Sequence, residues 1–465
     1  MELEPGSFRD RTGRIFYAGD EVYRALAPRA LADWEAVRGK KFFARALSEG
    51  RIVATEQIET GPGFPLPPGG PWAAVLKHQR IPFVSYPYEW CFGMLRDAAL
   101  LHLELLEAAL AEDVTLKDSS SYNVQWAGAR PVLIDVLSFA PLQPGEPWVG
   151  YRQFCELFLY PLLLEAYKGV PFQPWLRGRI DGIAPRDVRG LFSLRDLLRP
   201  GVLSHVVLHA RSEALDEGTA NVRKELAAAG FHKELILANV RRLARLVRDL
   251  SPARRETVWS RYGAEHGYER EDREEKERFV REAAATRRFR LVWDLGANTG
   301  DFSRIAAAHA ETVVALEGDR LAVETLYETL RREGVENVLP LVANLADPSP
   351  DQGWRGTERR SLPERGRPEL VLCLALIHHM VLGANVRLGD FVDWLARLGP
   401  FLVIEFVTRE DPMVQRLLRH KDSEIYGDYG LPPFEAALAA SFEVLARREI
   451  AGGRRILYFA RSRVS

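Results

Sequence analysis

At 465 residues, 47% hydrophobic and 27% charged, the chain is long enough for two or three domains with ample cores and has an ordinary globular make-up. Its 63 basic and 64 acidic side chains nearly cancel, which argues against nucleic acid or an anionic membrane as a partner. The three cysteines (Cys91, Cys155 and Cys373) are too scattered for a metal site or a disulfide framework, the start is acidic, and no apolar run approaches the roughly 20 residues of a bilayer span, so a soluble protein of the reducing cytoplasm is expected.

In chain order, Arg14–Tyr17 and Glu21–Leu26 read as two short strands around an Ala-Gly-Asp turn, and helical stretches follow at 28–38 and 42–48. The Gly/Pro-rich run 60–72 can be neither helix nor central strand. Phe92–Ala111 has helical apolar spacing and few breakers, which predicts a long buried helix. Val124–Trp126 and Pro131–Val136 read as a hairpin turning at Ala127-Gly128, and 151–251 is mostly helical in pattern. Residues 269–290 are dense in both charge signs, with i,i+4 pairs such as Asp272 and Lys276, and read as a charged linker helix. Beyond them strands alternate with helices: 291–294, 312–316, 338–342, 370–374 and 401–406. That alternation predicts a doubly wound parallel sheet.

The first of these strands runs Val292-Trp293-Asp294 into the turn Leu295-Gly296-Ala297-Asn298-Thr299-Gly300. Gly296 and Gly300 allow a tight turn and a close approach of backbone to ligand. Their G-x-x-x-G spacing is not the dinucleotide fingerprint, which favours a nucleoside ligand without a pyrophosphate. Glu317 caps the second strand 23 positions after Asp294, where a carboxylate can take both hydroxyls of a ribose. Asn344 follows the third strand, within reach of an adenine amino group.

Asp294 to Gly300, with Glu317, Asn344 and the run Leu374-Ala375-Leu376-Ile377-His378-His379-Met380, resembles the four motifs of class I S-adenosylmethionine-dependent methyltransferases. Together with NLADPSP, GWRGTERR and IEFVTREDPMVQRLL, they resemble a bacterial, nodulation-protein-like methyltransferase subfamily with a long N-terminal extension. That resemblance implies S-adenosyl-L-methionine as cofactor, bound by Asp294, Gly296, Asn298, Gly300, Glu317 and Asn344. The subfamily usually carries aspartate where Asn344 stands, so weaker adenine recognition is expected. His378 and His379 are candidate bases toward the acceptor, each with the alternative of packing under the next helix; Glu405 would orient one of them or be a buried hydrogen-bonded acid. Ahead of the first strand, Tyr268 would cover the cofactor and Lys276 would contact its carboxylate, or both would point to water. The polar insert 351–368 would arch over the acceptor pocket or form a plain surface loop.

In the N-terminal half, Asp118 and Asn123 have the D-x-x-x-x-N spacing of a kinase catalytic loop, and Asp135 follows a hairpin at the place of a metal-binding aspartate. This half looks like a distant relative of aminoglycoside-phosphotransferase-type kinases, but it lacks the preceding histidine and a Gly-rich loop and has Arg24 where a lysine is expected. The bland alternative is a helical domain whose Asp118, Asn123 and Asp135 are turn residues. The whole then reads as an α/β chain: a kinase-like or helical N-terminal domain (1–250), a charged linker helix (251–290) and a Rossmann-like methyltransferase domain (291–465) acting on a small-molecule or carrier-bound acceptor. A phosphotransferase using the N-terminal domain and a non-catalytic nucleoside-sensing scaffold are the competing readings.

Overall fold

The computed structural model describes residues 1–61, 63–143, 145–211, 233–253, 270–422 and 425–464. They divide into two compact units. Among them no helix is long and apolar enough to cross a membrane.

The first unit comprises Met1–Trp126, Pro131–Arg255 and Asp351–Arg359. Its N-terminal part is a five-stranded antiparallel sheet of order β1-β2-β3-β5-β4: β1 (Glu2–Leu3), β2 (Gly13–Ala18), β3 (Glu21–Leu26), β4 (Thr55–Ile58) and β5 (Ala74–His78). Phe16, Ala25 and Val75 form its buried side, with Tyr23 and Phe64 packed against them. The helix Phe92–Ala111 has leucine or alanine on nearly every face and is buried on most of its circumference. After it, β6 (Val114–Leu116) pairs with β9 (Phe139–Pro141), and β7 (Val124–Ala127) forms a hairpin with β8 (Arg130–Leu133). The region after Tyr151 is helical, as its pattern predicts, with two π-helical turns at Cys155–Leu159 and Val202–Val207. The first part of the 351–368 insert folds as part of this unit: Gln352 Nε2 donates to the Arg177 carbonyl at 2.5 Å, and Arg9 pairs with Glu358 at 2.6 Å.

The second unit is built on a seven-stranded sheet of order β12-β11-β10-β13-β14-β16-β15. Its strands are β10 (Phe289–Leu295), β11 (Ala310–Glu317), β12 (Val338–Val342), β13 (Leu370–Cys373), β14 (Phe401–Val407), β15 (Phe442–Ile450) and β16 (Arg455–Ser462). The first five are parallel and almost wholly apolar, as strands covered on both faces must be. β16 joins β14 antiparallel and β15 closes the edge; neither strand is anticipated by the alternation pattern. The charged helix Arg270–Ala284 is not a linker. Phe279, Val280, Ala283 and Ala284 make a buried stripe along it, burying a Phe or Val side chain contributes roughly 1.5–3 kcal/mol, and the helix is therefore an integral layer of this unit.

Candidate functional site

The site forms at the carboxyl ends of β10, β11 and β13, where the strand order reverses and a crevice opens. The turn after β10 requires left-handed backbone at Gly296 (φ +74°), Asn298 (φ +48°) and Gly300 (φ +78°). It is tied to β11: the Gly296 and Ala297 amides both donate to the Leu316 carbonyl, at 2.8 and 3.0 Å. A Cβ on Gly296 would lie 3.2 Å from Leu376 Cδ1, so this glycine makes room for the loop after β13. One on Gly300 would lie 2.3 Å from Leu326 Cδ1 and collide with the helix Arg320–Glu333.

Asp294 is buried below this turn and accepts from Ser303 Oγ at 2.6 Å, fastening the strand to the next helix; burial lifts its pKa to about 6. Glu317 is half-buried. Its two oxygens accept from the amides of Asn298 (2.9 Å) and Asp319 (2.8 Å), and the Gly318 amide also hydrogen-bonds the carboxylate, so it is fixed in direction. A carboxylate fixed at a strand end suits a vicinal diol. Asn344 is exposed, and its carbonyl accepts from the Ala346 amide at 3.1 Å, an Asx turn that occupies one of the lone pairs expected to meet adenine. The residues present therefore fit a nucleoside cofactor through the glycine turn and Glu317, with Asn344 a weaker contributor.

His378 and His379 lie 4.1 Å apart between ring centroids with their planes tilted by 41°, at the start of a π-helical turn His379–Gly383, a distortion often found at functional sites. His378 is 1% exposed, and its Nδ1 has no hydrogen-bond partner. His379 is half-buried. Burial, with His379 beside it, presses the His378 pKa well below its usual range; burial and Arg455 bring that of His379 to about 4. Both imidazoles are neutral at physiological pH, the state in which a histidine can take a proton.

Glu405 takes the second of its two expected forms, a buried hydrogen-bonded acid: it accepts from Lys276 Nζ at 2.5 Å, from Arg455 at 3.1 Å and from the Ala375 amide at 2.8 Å. Lys276 does not point to water: it is buried, and its ammonium contacts Glu405 and the face of Phe302 at 4.8 Å. A helix that packs its apolar stripe on the sheet carries Lys276 inward, and only a buried carboxylate can compensate the charge there. Tyr268 lies outside the described residues. What sequence reading misses is Arg455, which links Glu405 to Asp411 (2.8 Å), and Ala375, which Glu405 holds at φ +51°.

In the first unit, Asp118, Asn123 and Asp135 come together. Asn123 hydrogen-bonds Asp118 and also donates to Ser138 Oγ at 3.2 Å, while Ser138 donates to Asp135 at 2.9 Å. Burial and the nearby Asp135 raise the pKa of Asp118. Arg24 is buried between Asp135 and Asp10; burial pushes the Asp135 pKa upward, but Arg24 outweighs it and holds the carboxylate below its usual range. Among the described residues, no group of three histidine, cysteine or acidic side chains could hold a metal ion.

A parallel sheet with one antiparallel strand inserted next to the edge, a left-handed glycine turn after its first strand and an acid ending its second define the class: a class I methyltransferase fold. The chain is 33% identical over 463 residues, 98% of its length and 96% of the relative's, to nodulation protein NoeA of Rhizobium meliloti (strain 1021). It belongs to the family of that protein. No family model matches it. Among solved structures it resembles the N-methyltransferase NodS of Bradyrhizobium japonicum WM9 (10% identity, 42% of this chain and 98% of that one, TM-score 0.31) and a SAM-dependent methyltransferase of Aquifex aeolicus (18%, 40% and 88%, TM-score 0.28).

Proposed function

We propose that the second unit transfers a methyl group from S-adenosylmethionine to a small-molecule or carrier-bound acceptor. The observation that carries this reading is the fixed carboxylate of Glu317 beside the left-handed Gly296–Gly300 turn. When bound, the cofactor would supply an electrophilic methyl group. Glu317 would receive the ribose hydroxyls, and the glycine turn would let the backbone approach the ligand. His379, half-buried with the tilted His378 ring against it, is placed to take a proton from an acceptor hydroxyl or amine. Calorimetry with S-adenosylhomocysteine tests the site. The parent should bind, and Glu317→Ala should weaken binding at least tenfold, about the loss of one charge-assisted contact. A dissociation constant within twofold of the parent, in a variant that melts normally, would remove Glu317 from the site.

For the first unit we propose a kinase-like arrangement that does not transfer phosphoryl groups. The sheet, the long helix and the Asp118–Asn123–Asp135 cluster support the first half of that reading. The Arg24–Asp135 pair supports the second, because a buried guanidinium neutralises the carboxylate that a magnesium ion would need. Titration with ATP–Mg²⁺ at millimolar nucleotide should give no heat. Binding that disappears in Asp135→Asn would overturn this and revive the phosphotransferase reading.

A further inference from the structure

The first unit contains a second concavity, outside every motif quoted above. It has a volume of about 610 Å³ and lies between the helix Lys233–Asp249 and the turn that enters the π-helical segment Val202–Val207. That size is in the range of small-molecule sites. Arg242, Arg245 and Asp249 line it, spaced three and four residues apart, so they share one helix face. Arg199 adds a third guanidinium and stacks on the Tyr167 ring at 4.9 Å. Asp249 is the one carboxylate among the lining residues, and Arg199 also pairs with Asp196 at 3.4 Å, so the excess positive charge of the wall rests on Arg242 and Arg245. Among the described residues no carboxylate pairs with Arg242 or Arg245.

The floor has a feature that solvated arginines alone would not require. His205, which lines the concavity, is 4% exposed; its Nδ1 shares a 2.7 Å hydrogen bond with the Tyr151 hydroxyl, while its Nε2 has no partner among the described residues. A buried polar atom left unpaired is costly, and a ligand atom is one way to satisfy it. The Tyr160 hydroxyl donates to the His205 backbone carbonyl at 2.8 Å and fixes the backbone there. Burial and Arg242 press the His205 pKa to about 4, so the imidazole is neutral and adds no charge to the wall. Gly201, at φ +80°, admits the helix: a Cβ there would lie 2.4 Å from Leu246 Cδ2. Leu246, Leu250 and Pro200 make the rest of the lining apolar.

We propose that this concavity binds an anionic small molecule, with its phosphate or carboxylate met by Arg199, Arg242 and Arg245, a polar atom on His205 Nε2, and an apolar body against Leu246 and Leu250. The inference is independent of the methyltransferase reading. Calorimetry on the full-length protein with phenyl phosphate, benzoate and inorganic phosphate tests it. At least one of the two aromatic anions should bind, the stronger identifying phosphate or carboxylate, and inorganic phosphate should bind more weakly than phenyl phosphate. Arg242 and Arg245 are exposed, so R242Q/R245Q should fold normally; it should bind the same anion at least tenfold more weakly and leave S-adenosylhomocysteine affinity unchanged. Absence of binding by either aromatic anion at millimolar concentration would overturn the proposal, as would unchanged affinity in the double variant.

Discussion

Glu405 illustrates how little a residue's place in the sequence tells of its partners. At the end of a strand, next to a histidine pair, it has the position of a catalytic acid. In the structure it is the fully buried anion between two cations, Lys276 and Arg455, and it also holds the Ala375 amide. Its partners are 129 and 50 positions away, and no local spacing could pair them. The Asp294–Gly300 turn and Glu317 were legible because their chemistry is local: an apolar strand, then glycines, then an acid at the next strand end. Removing the charge of Glu405 should leave Lys276 and Arg455 undercompensated in the core. Glu405→Gln should therefore lose about 3–5 kcal/mol of stability, the usual penalty for breaking a buried pair, and Lys276→Met in the same chain should restore part of it. Urea unfolding of the two single variants and the double variant measures the coupling; a loss below about 1 kcal/mol for Glu405→Gln would mean that the network does not carry the charge balance described.

At the scale of elements, the parallel strands were readable because burial on both faces makes them continuous apolar runs. The edge strand β15 was not. Its sequence, Phe-Glu-Val-Leu-Ala-Arg-Arg-Glu-Ile, keeps only the two ends buried, and an exposed edge rich in charge has no period-two signature while being protected from pairing with other chains. The helix Arg270–Ala284 hid its apolar stripe among arginines and glutamates in the same way. Glycines separate into two kinds by what surrounds them. Gly300 and Gly334 both have left-handed backbone, but only Gly300 faces a close neighbour, Leu326; around Gly334 there is open space. Gly300→Ala should therefore destabilise the second unit by roughly 1–3 kcal/mol more than Gly334→Ala, which bears the backbone penalty of about 1 kcal/mol alone. Thermal melts of the two variants compare them directly, and equal melting points would show that Leu326 moves aside without strain.

For the molecule as a whole, acid is the condition that bears on most of the core at once. Burial, aided by Arg24 at His78, by Arg242 at His205 and by Arg455 at His379, holds these three histidines at about 4, and burial alone holds His102 at about 3. The unfolded chain takes up protons near the ordinary value of about 6.5, above the folded values, so stability present above pH 6.5 is lost as the pH falls toward 4. The raised carboxyls Asp294, Asp118 and Glu317 work in the opposite direction, while the lowered Asp10, Asp135 and Asp196 act with the four imidazoles. The melting temperature should fall between pH 7.5 and pH 4.5, and His102→Phe should flatten that fall; a constant melting temperature would contradict the buried-neutral assignment. The division of the chain has a different consequence. Asp351–Arg359 leaves the second stretch of sequence to complete the first unit, and Ala127–Arg130 does the reverse. Neither unit is thus encoded by one uninterrupted piece of gene. A single crossover near residue 255 would therefore hand each descendant a unit that carries a short segment from the other parent.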